Sequence, residues 1–354
     1  MSDSALIERY EAARWIAREA GQLALQYFRN RASLEVETKG PTDYVSIADR
    51  DVETVIRREL ATAFPGDAFL GEETAAQFSG ALDRCWIVDP IDGTHNFLRG
   101  VPYWNVAIGY VENGVTQVGA VYDPPADELY HAVRGEGAWC QSARGEARVR
   151  AAATSVLAGS FVVLGHHDRA FEPRYFDIRR RMMENGVAMR NFGSAALQLA
   201  HVACGRLDGF VELQLSAWDA VAGLLLVAEA GGYHAPFAPP TPTAKALCVA
   251  AAPGIGPQLA ALAEAGRIEV AAATDREAVA AIKATTRTEG ILPALETSHA
   301  IAALPKILAG VEGMAGGFDA GRDLVVLLGF SGRGDKDLAA LARFDDVEPW
   351  ASAR

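Results

Sequence analysis

Apolar residues recur at helical spacing in two long segments near the start of the chain. Residues 4–29 interleave Glu8, Arg14, Arg18 and other charged residues with apolar ones, and this period predicts a long amphipathic helix. The stretch "DRDVETVIRRELATAF" predicts a second helix, with Asp49 as its N-terminal cap. The chain is therefore expected to begin with two helices before its first buried strand.

Short apolar runs bounded by turn residues follow these helices. "DRCWIVDP" predicts a buried strand that stops at Pro90, and "WNVAIGYVENGVTQVGAVYDP" predicts two strands joined by an Asn113-Gly114 hairpin turn. "SFVVLGHH" and "DGFVEL" predict further strands, whereas "SAALQLAHVACG" and the largely apolar "WDAVAGLLLVAEAGG" predict helices. "APFAPPTPTAKA" is typical of a proline-rich surface loop. This alternation predicts a mixed α/β layered domain.

Composition narrows the class of protein. The chain has 354 residues, 50% of them hydrophobic, which is enough for a substantial core. A net charge of −12 argues against nucleic acid or an anionic membrane as the main partner, because both require a basic surface. The start of the chain lacks the apolar run of a signal peptide, so we expect a cytoplasmic protein. The four cysteines have no close pairing and are expected to be buried, reduced thiols.

Acidic residues stand at the ends of three predicted elements, where side chains from separate segments can converge. The segments are "GEE" at 71–73, "DPIDGT" at 89–94 and "WD" at 218–219. Pro90 holds a turn that would let Asp89 and Asp92 share one cation, with the carbonyl of Ile91 between them. The amides of Gly93 and Thr94 would then face a phosphate bound to that cation. This combination predicts metal-assisted phosphoester chemistry in which a metal-activated water attacks.

Each acidic segment, taken alone, can be explained by a structural role that involves no metal. A single Asp-Pro or Glu-Glu pair is commonly a solvated turn. Asp219 could equally be the N-cap of its apolar helix, since aspartate is favoured there. The conjunction of all three segments is harder to explain without a cation, which makes a catalytically inactive binding module on the same fold the less favoured interpretation.

The motifs "GEE", "WIVDPIDGTHNF" and "WDAVAGLLLVAEAGG", in this order and spacing, resemble those of the inositol monophosphatase family over about residues 4–264. The resemblance implies a five-layer αβαβα sandwich, as in fructose-1,6-bisphosphatase, a homodimer, and hydrolysis of phosphate monoesters that depends on two or three Mg²⁺ and is inhibited by Li⁺. The metal ligands that it implies are Glu72, Asp89, the carbonyl of Ile91, Asp92 and Asp219. It also implies that Glu72 and Thr94 hold the attacking water, that Asp49 orients Thr94, and that the amides of Gly93 and Thr94 bind the phosphate.

The same resemblance implies the residues that bind the substrate alcohol. They are Asp92, the turn Gly193-Ser194-Ala195 and Glu212, with Asp219 beside them. A carboxylate at Glu212 would accept hydrogen bonds from cyclitol or sugar hydroxyls, whereas an amino-alcohol phosphate would pair with it as a cation. "LRGVPYW" is similar to histidinol-phosphate phosphatases of the same superfamily, while "GSAALQLAHVACGRLDGFVE" is closer to the inositol branch. Inositol or a similar polyol phosphate is the favoured substrate, and histidinol phosphate is the alternative.

A second resemblance begins near residue 266. "EGILPALETSHA" and "SGRGDKD" resemble, in order and spacing, the C-terminal part of the tryptophan synthase β chain, over about residues 266–342. In that family Ser331 would meet the pyridine nitrogen of pyridoxal phosphate, and Glu296 would lie near the substrate. The cofactor's lysine and its phosphate-binding loop lie upstream in that family, in a region that this chain lacks, so a pyridoxal-phosphate or ligand-binding function is disfavoured.

These resemblances predict two domains, a catalytic domain at 1–265 and a tail at 266–354 with its own small α/β pattern. The tail has three possible interpretations. It packs against the phosphatase as a structural appendage, which we favour; it is a partly disordered remnant of a gene fusion; or it binds a partner or ligand.

Overall fold

The computed structural model describes residues 3–31, 36–40, 43–78, 82–165 and 173–264. The helices in this part of the chain are α1 (Asp3–Arg29), α2 (Ile47–Ala63), α3 (Thr94–Arg99), α4 (Pro173–Glu184), α5 (Ala195–Ala203), α6 (Ala217–Glu229) and α7 (Gly256–Glu264). The strands are β1 (Val36–Gly40), β2 (Asp43–Ser46), β3 (Ala68–Gly71), β4 (Arg84–Asp92), β5 (Asn105–Glu112), β6 (Val115–Asp123), β7 (Glu128–Val133), β8 (Ala138–Ser142), β9 (Gly145–Arg148), β10 (Phe161–Leu164), β11 (Ala188–Arg190), β12 (Gly209–Leu215), β13 (Tyr233–His234) and β14 (Ala246–Ala251).

The larger sheet contains strands β3 to β9 in chain order. β3 and β4 are parallel, and every later neighbour pair is antiparallel. The predicted hairpin joins β5 to β6. Asn113 and Gly114 have φ values of 51° and 75°, as a type I′ turn requires.

The smaller sheet has the order β11-β10-β12-β14-β13. β10 runs parallel to β11 and β12, and β14 runs antiparallel to β12 and β13. β1 and β2 form a separate antiparallel pair.

Three groups of buried side chains stack these elements into layers. Helices α1 and α2 cover one face of the larger sheet, with Ile16 and Ile56 packed against Trp86 and Tyr110. Helices α5 and α6 fill the space between the two sheets. Helices α4 and α7 cover the outer face of the smaller sheet. The result is the expected five-layer αβαβα sandwich.

Two paired glycines bring α6 unusually close to the larger sheet. Gly109 of β5 lies opposite Gly119 of β6. A β-carbon on Gly109 would lie 2.6 Å from Cγ2 of Val221, and one on Gly119 would lie 2.8 Å from the carbonyl oxygen of Ala222. Both contacts are too short for any side chain, so the glycines set the height of α6 above the sheet and hence the position of Asp219 at its start.

Three local predictions need correction. α2 begins at Ile47, so Asp49 lies inside its first turn rather than capping it. β4 continues through Pro90 to Asp92, with a shift in register after Asp89. Ser216 is the N-cap residue of α6, which leaves Asp219 in the first turn. Asp49 and Asp219 therefore lie inside their helices, and Asp89 and Asp92 lie in the last part of β4.

The predicted tail at 266–354, including Glu296 and Ser331, lies outside the described residues. Among the described helices, none combines the length and the apolar character needed to span a bilayer.

We predict that Gly119→Ala lowers the free energy of unfolding by about 1–3 kcal/mol, because the added methyl group overpacks the α6 contact. Urea unfolding measures this change. Val115→Ala, at an exposed position of the same strand, is the control, and its effect should stay within about 0.5 kcal/mol. Equal losses for the two variants would contradict the close contact between α6 and the sheet.

Candidate active site

The end of β4 carries two aspartates on either side of a break in the sheet pairing. Asp89 pairs with Ala107 and Asp92 pairs with Asn105, so β4 has one more residue than β5 across this interval. Pro90 cannot donate a ladder hydrogen bond, which is consistent with a bulge at this point. The Asp89 carboxylate accepts a hydrogen bond from the Ile91 amide at 2.9 Å, which holds the bulge in shape.

Asp219, in the first turn of α6, completes a close carboxylate cluster with Asp89 and Asp92. One carboxylate oxygen from each residue lies within 4.8 Å of the others. Asp89 and Asp92 are 2% and 6% exposed, so solvent screens their repulsion little. Hard carboxylate oxygens at this separation are the donors that Mg²⁺ and similar cations prefer.

The electrostatics of the cluster also favour a cation. Burial, followed by the charges of Glu72, Asp219 and Asp92, raises the pKa of Asp89 well above its usual range. Burial and the charge of Asp92 raise the pKa of Asp219 to about 7. Burial and mutual repulsion therefore favour the protonated forms of these carboxylates unless a positive charge compensates them. A divalent cation fits this donor set.

Asp92 also anchors the start of α5. Its Oδ1 accepts the Ala195 amide at 3.0 Å, and its Oδ2 accepts the Ala196 amide and the Ser194 hydroxyl, both at 2.8 Å. Asn105, which is fully buried, donates from Nδ2 to the same Oδ2 at 2.6 Å. Burial still raises the pKa of Asp92, although these hydrogen bonds oppose the shift. Oδ1, with one of these four bonds, is the oxygen with more capacity left for a cation.

The predicted substrate turn Gly193-Ser194-Ala195 thus lies directly against the carboxylate cluster. In this structure the Ser194 hydroxyl and the Ala195 amide bond Asp92. Gly93 approaches the same turn, since a β-carbon on it would lie 3.1 Å from the Gly193 carbonyl oxygen and from the β-carbon of Ser194. Gly93 also has a φ of 97°, so both its conformation and its surroundings require glycine.

Thr94 opens the short helix α3 beside the cluster. Its hydroxyl lies 3.3 Å from Oδ1 of Asp49 and 3.1 Å from the carbonyl oxygen of Ile91. A hydroxyl has one proton, and when that proton is donated to either acceptor the oxygen's lone pairs remain free to accept from a water. Asp49 is buried on α2 at 1% exposure, so this acceptor is held by a rigid helix.

Glu72 lies on the turn that follows β3. Its amide donates to the carbonyl oxygen of Val88 on β4 at 3.1 Å. Its charge contributes to the raised pKa of Asp89, although Glu72 is not part of the close three-carboxylate cluster.

Glu212 lies on β12, across from Cys248. Burial, reinforced by the charges of Asp219 and Asp92, raises its pKa from an ordinary 4.5 to about 8, while Lys245 opposes the shift. Gly165 leaves room for this side chain, because a β-carbon there would clash with the Glu212 carboxylate.

Sequence reasoning missed three residues around this site, Glu53, Asn105 and Lys245. Glu53 follows Asp49 by four residues on α2, and this helical spacing was a usable signal. Asn105 opens an apolar strand, and Lys245 ends the proline-rich loop before β14. The residues near Asn105 and Lys245 come from segments distant in sequence, so no local pattern identifies these two residues.

Comparison with known proteins identifies relatives of this chain. Residues 6–274 match the inositol monophosphatase family. An inositol-1-monophosphatase of Mesorhizobium japonicum is 43% identical over 219 residues, which are 61% of this chain and 81% of that protein. Nus factor SuhB of Haemophilus influenzae is 38% identical over 223 residues, covering 62% of this chain and 82% of that protein. The crystal structure of extragenic suppressor protein SuhB from Bartonella henselae superposes with a TM-score of 0.63 at 33% identity, over 75% of this chain and 100% of that one.

The raised pKa of Glu212 predicts a pH dependence of stability in the metal-free protein. A carboxyl group whose folded pKa is raised stabilises the fold below its ordinary value of 4.5 and loses that contribution as the pH rises toward about 8. In excess chelator, the free energy of unfolding should therefore fall more steeply between about pH 5 and pH 8 in the unsubstituted protein than in Glu212→Gln. We expect this fall to be larger in the unsubstituted protein by about 2–4 kcal/mol, since a shift of one pKa unit corresponds to about 1.4 kcal/mol.

Urea unfolding at several pH values measures both slopes. Glu128→Gln is the control, because the Arg206 guanidinium lowers the pKa of Glu128 instead of raising it. Parallel profiles for the unsubstituted protein and Glu212→Gln would contradict a raised pKa at this site.

Proposed function

The chain belongs to the inositol monophosphatase family and is a phosphatase, and we propose that it hydrolyses a small phosphate monoester in a Mg²⁺-dependent reaction. The observation that carries this proposal is the buried cluster of Asp89, Asp92 and Asp219 beside the Thr94–Asp49 pair. The substrate that we propose is inositol monophosphate or a similar polyol phosphate.

The proposed metal ligands come from three separate segments. They are Glu72, Asp89, the carbonyl of Ile91, Asp92 and Asp219, and two or three Mg²⁺ would share them. When bound, such ions supply Lewis-acid stabilisation of the phosphate charge and lower the pKa of a coordinated water.

The chain's own residues then position the attacking water and the phosphate. Thr94 donates its proton to Asp49 or to the Ile91 carbonyl, and its oxygen accepts a hydrogen bond from the water. Glu72 accepts the water's other proton as the water oxygen bonds to phosphorus. The amides of Gly93 and Thr94 hold phosphate oxygens. The bond between phosphorus and the ester oxygen breaks, the departing alkoxide takes a proton from solvent, and the products are the alcohol and inorganic phosphate.

The polyol assignment is supported by the charges around Glu212. Lys245 acts on the pKa values of both Glu212 and Asp219, so a positive charge already stands near the proposed alcohol site. A cationic amino alcohol would compete with Lys245 for the Glu212 carboxylate, whereas neutral hydroxyls would not. The Mesorhizobium japonicum relative, named as an inositol-1-monophosphatase, supports the same choice. Histidinol phosphate is the alternative substrate.

Further properties of the family are part of the proposal. We propose a cytoplasmic homodimer that Li⁺ inhibits. The net charge of −12 supports a small phosphorylated metabolite as partner rather than nucleic acid. The Haemophilus influenzae relative carries the name Nus factor, so the absence of a nucleic-acid partner stays a prediction.

Asp89→Asn tests the reaction. We predict that it folds but lowers Mg²⁺-dependent phosphate release from inositol 1-phosphate by at least about 100-fold, because loss of a ligand costs more than loss of an outer contact. Asp123→Asn is the matched control, since Asp123 is also a buried aspartate, 5% exposed, but lies outside the cluster. Activity of the unsubstituted protein should vanish in chelator and fall with Li⁺.

A panel of inositol 1-phosphate, histidinol phosphate and sugar phosphates ranks the substrates by kcat/KM. Preference for histidinol phosphate would overturn the polyol assignment. If no member of the panel released phosphate with Mg²⁺, or if Asp89→Asn retained full turnover, the proposed reaction would be wrong.

We also propose that the segment from about residue 266 is an appendage to a complete catalytic domain, acquired by gene fusion. The family match ends at residue 274. A chain that stops after residue 274 should therefore keep kcat within about twofold, while its melting temperature falls or its oligomeric state changes. Phosphate release, thermal unfolding and light scattering measure these effects. A folded truncated chain without turnover would mean that the tail contributes to the site.

A further inference from the structure

Glu53 is a buried carboxylate on α2 that the proposed reaction does not use. We infer that it is a positioning residue that holds Glu72 at the cation site, an inference that rests on the proposed function. Its side chain reaches from α2 to the turn after β3, and it bonds that turn at two points.

The contacts of Glu53 surround Glu72 on both sides in sequence. Oε2 accepts the amide of Glu73 at 2.8 Å, and Oε1 accepts the hydroxyl of Thr74 at 2.7 Å. On the other side, Gly71 passes so close that a β-carbon on it would clash with the Glu53 carboxylate. The turn at 71–74 is therefore wrapped around this carboxylate, which is only 2% exposed.

The backbone on both sides of Glu72 is held by hydrogen bonds to two different elements. The Glu72 amide bonds Val88 on β4 at 3.1 Å, and the next amide bonds Glu53 on α2. The two peptides that flank Glu72 are thus each held, one by β4 and the other by α2, which limits how far Glu72 can move away.

Helix α2 contributes to the positions of both Thr94 and Glu72, the two residues that would hold the attacking water. Asp49 and Glu53 lie four residues apart, so they share one face of the helix. Asp49 contacts Thr94, and Glu53 contacts the turn of Glu72. The fully buried Val52 and Ile56 anchor the helix against the larger sheet. One rigid turn of helix therefore contacts both Thr94 and the turn that carries Glu72.

Glu53→Ala should weaken cation binding more than it weakens the fold. We expect the Mg²⁺ dissociation constant, measured by calorimetry without substrate, to rise by about 10- to 100-fold, as for other residues that orient metal ligands. In phosphate release, kcat should fall while KM at saturating Mg²⁺ stays within about twofold, because Glu53 does not touch the substrate sites.

Two milder variants keep the inference testable if Glu53→Ala fails to fold. In Glu53→Gln, the amide oxygen accepts from Glu73 and the amide nitrogen donates to Thr74, so Mg²⁺ affinity should recover to within about fivefold of the unsubstituted protein. Thr74→Val removes one of the two bonds and should raise the dissociation constant by about threefold to tenfold.

Asp208→Ala is the matched control. Asp208, which immediately precedes β12, accepts the Phe161 amide at 2.7 Å and the Thr154 hydroxyl, the same pair of donor types, and it bonds no residue of the carboxylate cluster or of the turn at 71–74 in these contacts. It should lower the melting temperature of the metal-free protein and leave Mg²⁺ affinity unchanged.

If Glu53→Ala and Thr74→Val lower the melting temperature but leave Mg²⁺ affinity unchanged, Glu53 is structural only and the inference is wrong. If Mg²⁺ affinity depends on Glu53 as expected while the unsubstituted protein releases no phosphate from the panel, the positioning role stands and the proposed reaction fails. The two failures are therefore distinguishable.

Discussion

The repulsion among three neighbouring carboxylates, two of them buried, is the constraint on which the rest of this site depends. Asp89, Asp92 and Asp219 present oxygens within 4.8 Å of one another, where water screens their charges little. Without a cation, bound protons such as that of the Asp89–Asp219 hydrogen bond offset only part of this repulsion, so the surrounding fold must hold the aspartates in place. The bulge in β4, the close seating of α6 on paired glycines and the start of α5 each fix one of these aspartates.

The hydrogen bonds that orient Asp92 come from backbone amides and neutral side chains rather than from cationic side chains. Asp92 takes two amides from α5, one hydroxyl and one carboxamide, and the turn of Glu72 is held by Glu53 through an amide and a hydroxyl. Neutral donors orient a carboxylate without cancelling its charge, so the negative potential remains available to a divalent cation. A salt bridge at the same places would orient the ligands and also compete with the cation for them.

Local patterns predicted most elements of the described fold and the segments that carry the acidic residues. They failed where a tertiary contact overrides a local rule. Pro90 normally ends a central strand, yet β4 continues to Asp92 because a bulge accommodates the missing donor. Aspartate at the start of a helical pattern commonly caps the helix. Here α2 begins at Ile47, and Asp49 lies in its first turn and contacts Thr94. Asn105 carries no local signal at all, since its partners come from the end of β4 and the start of α5.

The sequence alone determined the layered class, the family through its three motifs, and which acidic segments carry the chemistry, because residue type and spacing within a segment suffice for those conclusions. The resemblance of residues 266–342 to the tryptophan synthase β chain also comes from the sequence alone. Only the tertiary structure decided that Oδ2 of Asp92 accepts three hydrogen bonds and that the charge of Lys245 lowers the pKa of Glu212. It also decided that Glu53 bonds the turn that carries Glu72. Those relations join residues from different elements, and a pairing across elements depends on packing that no single segment encodes.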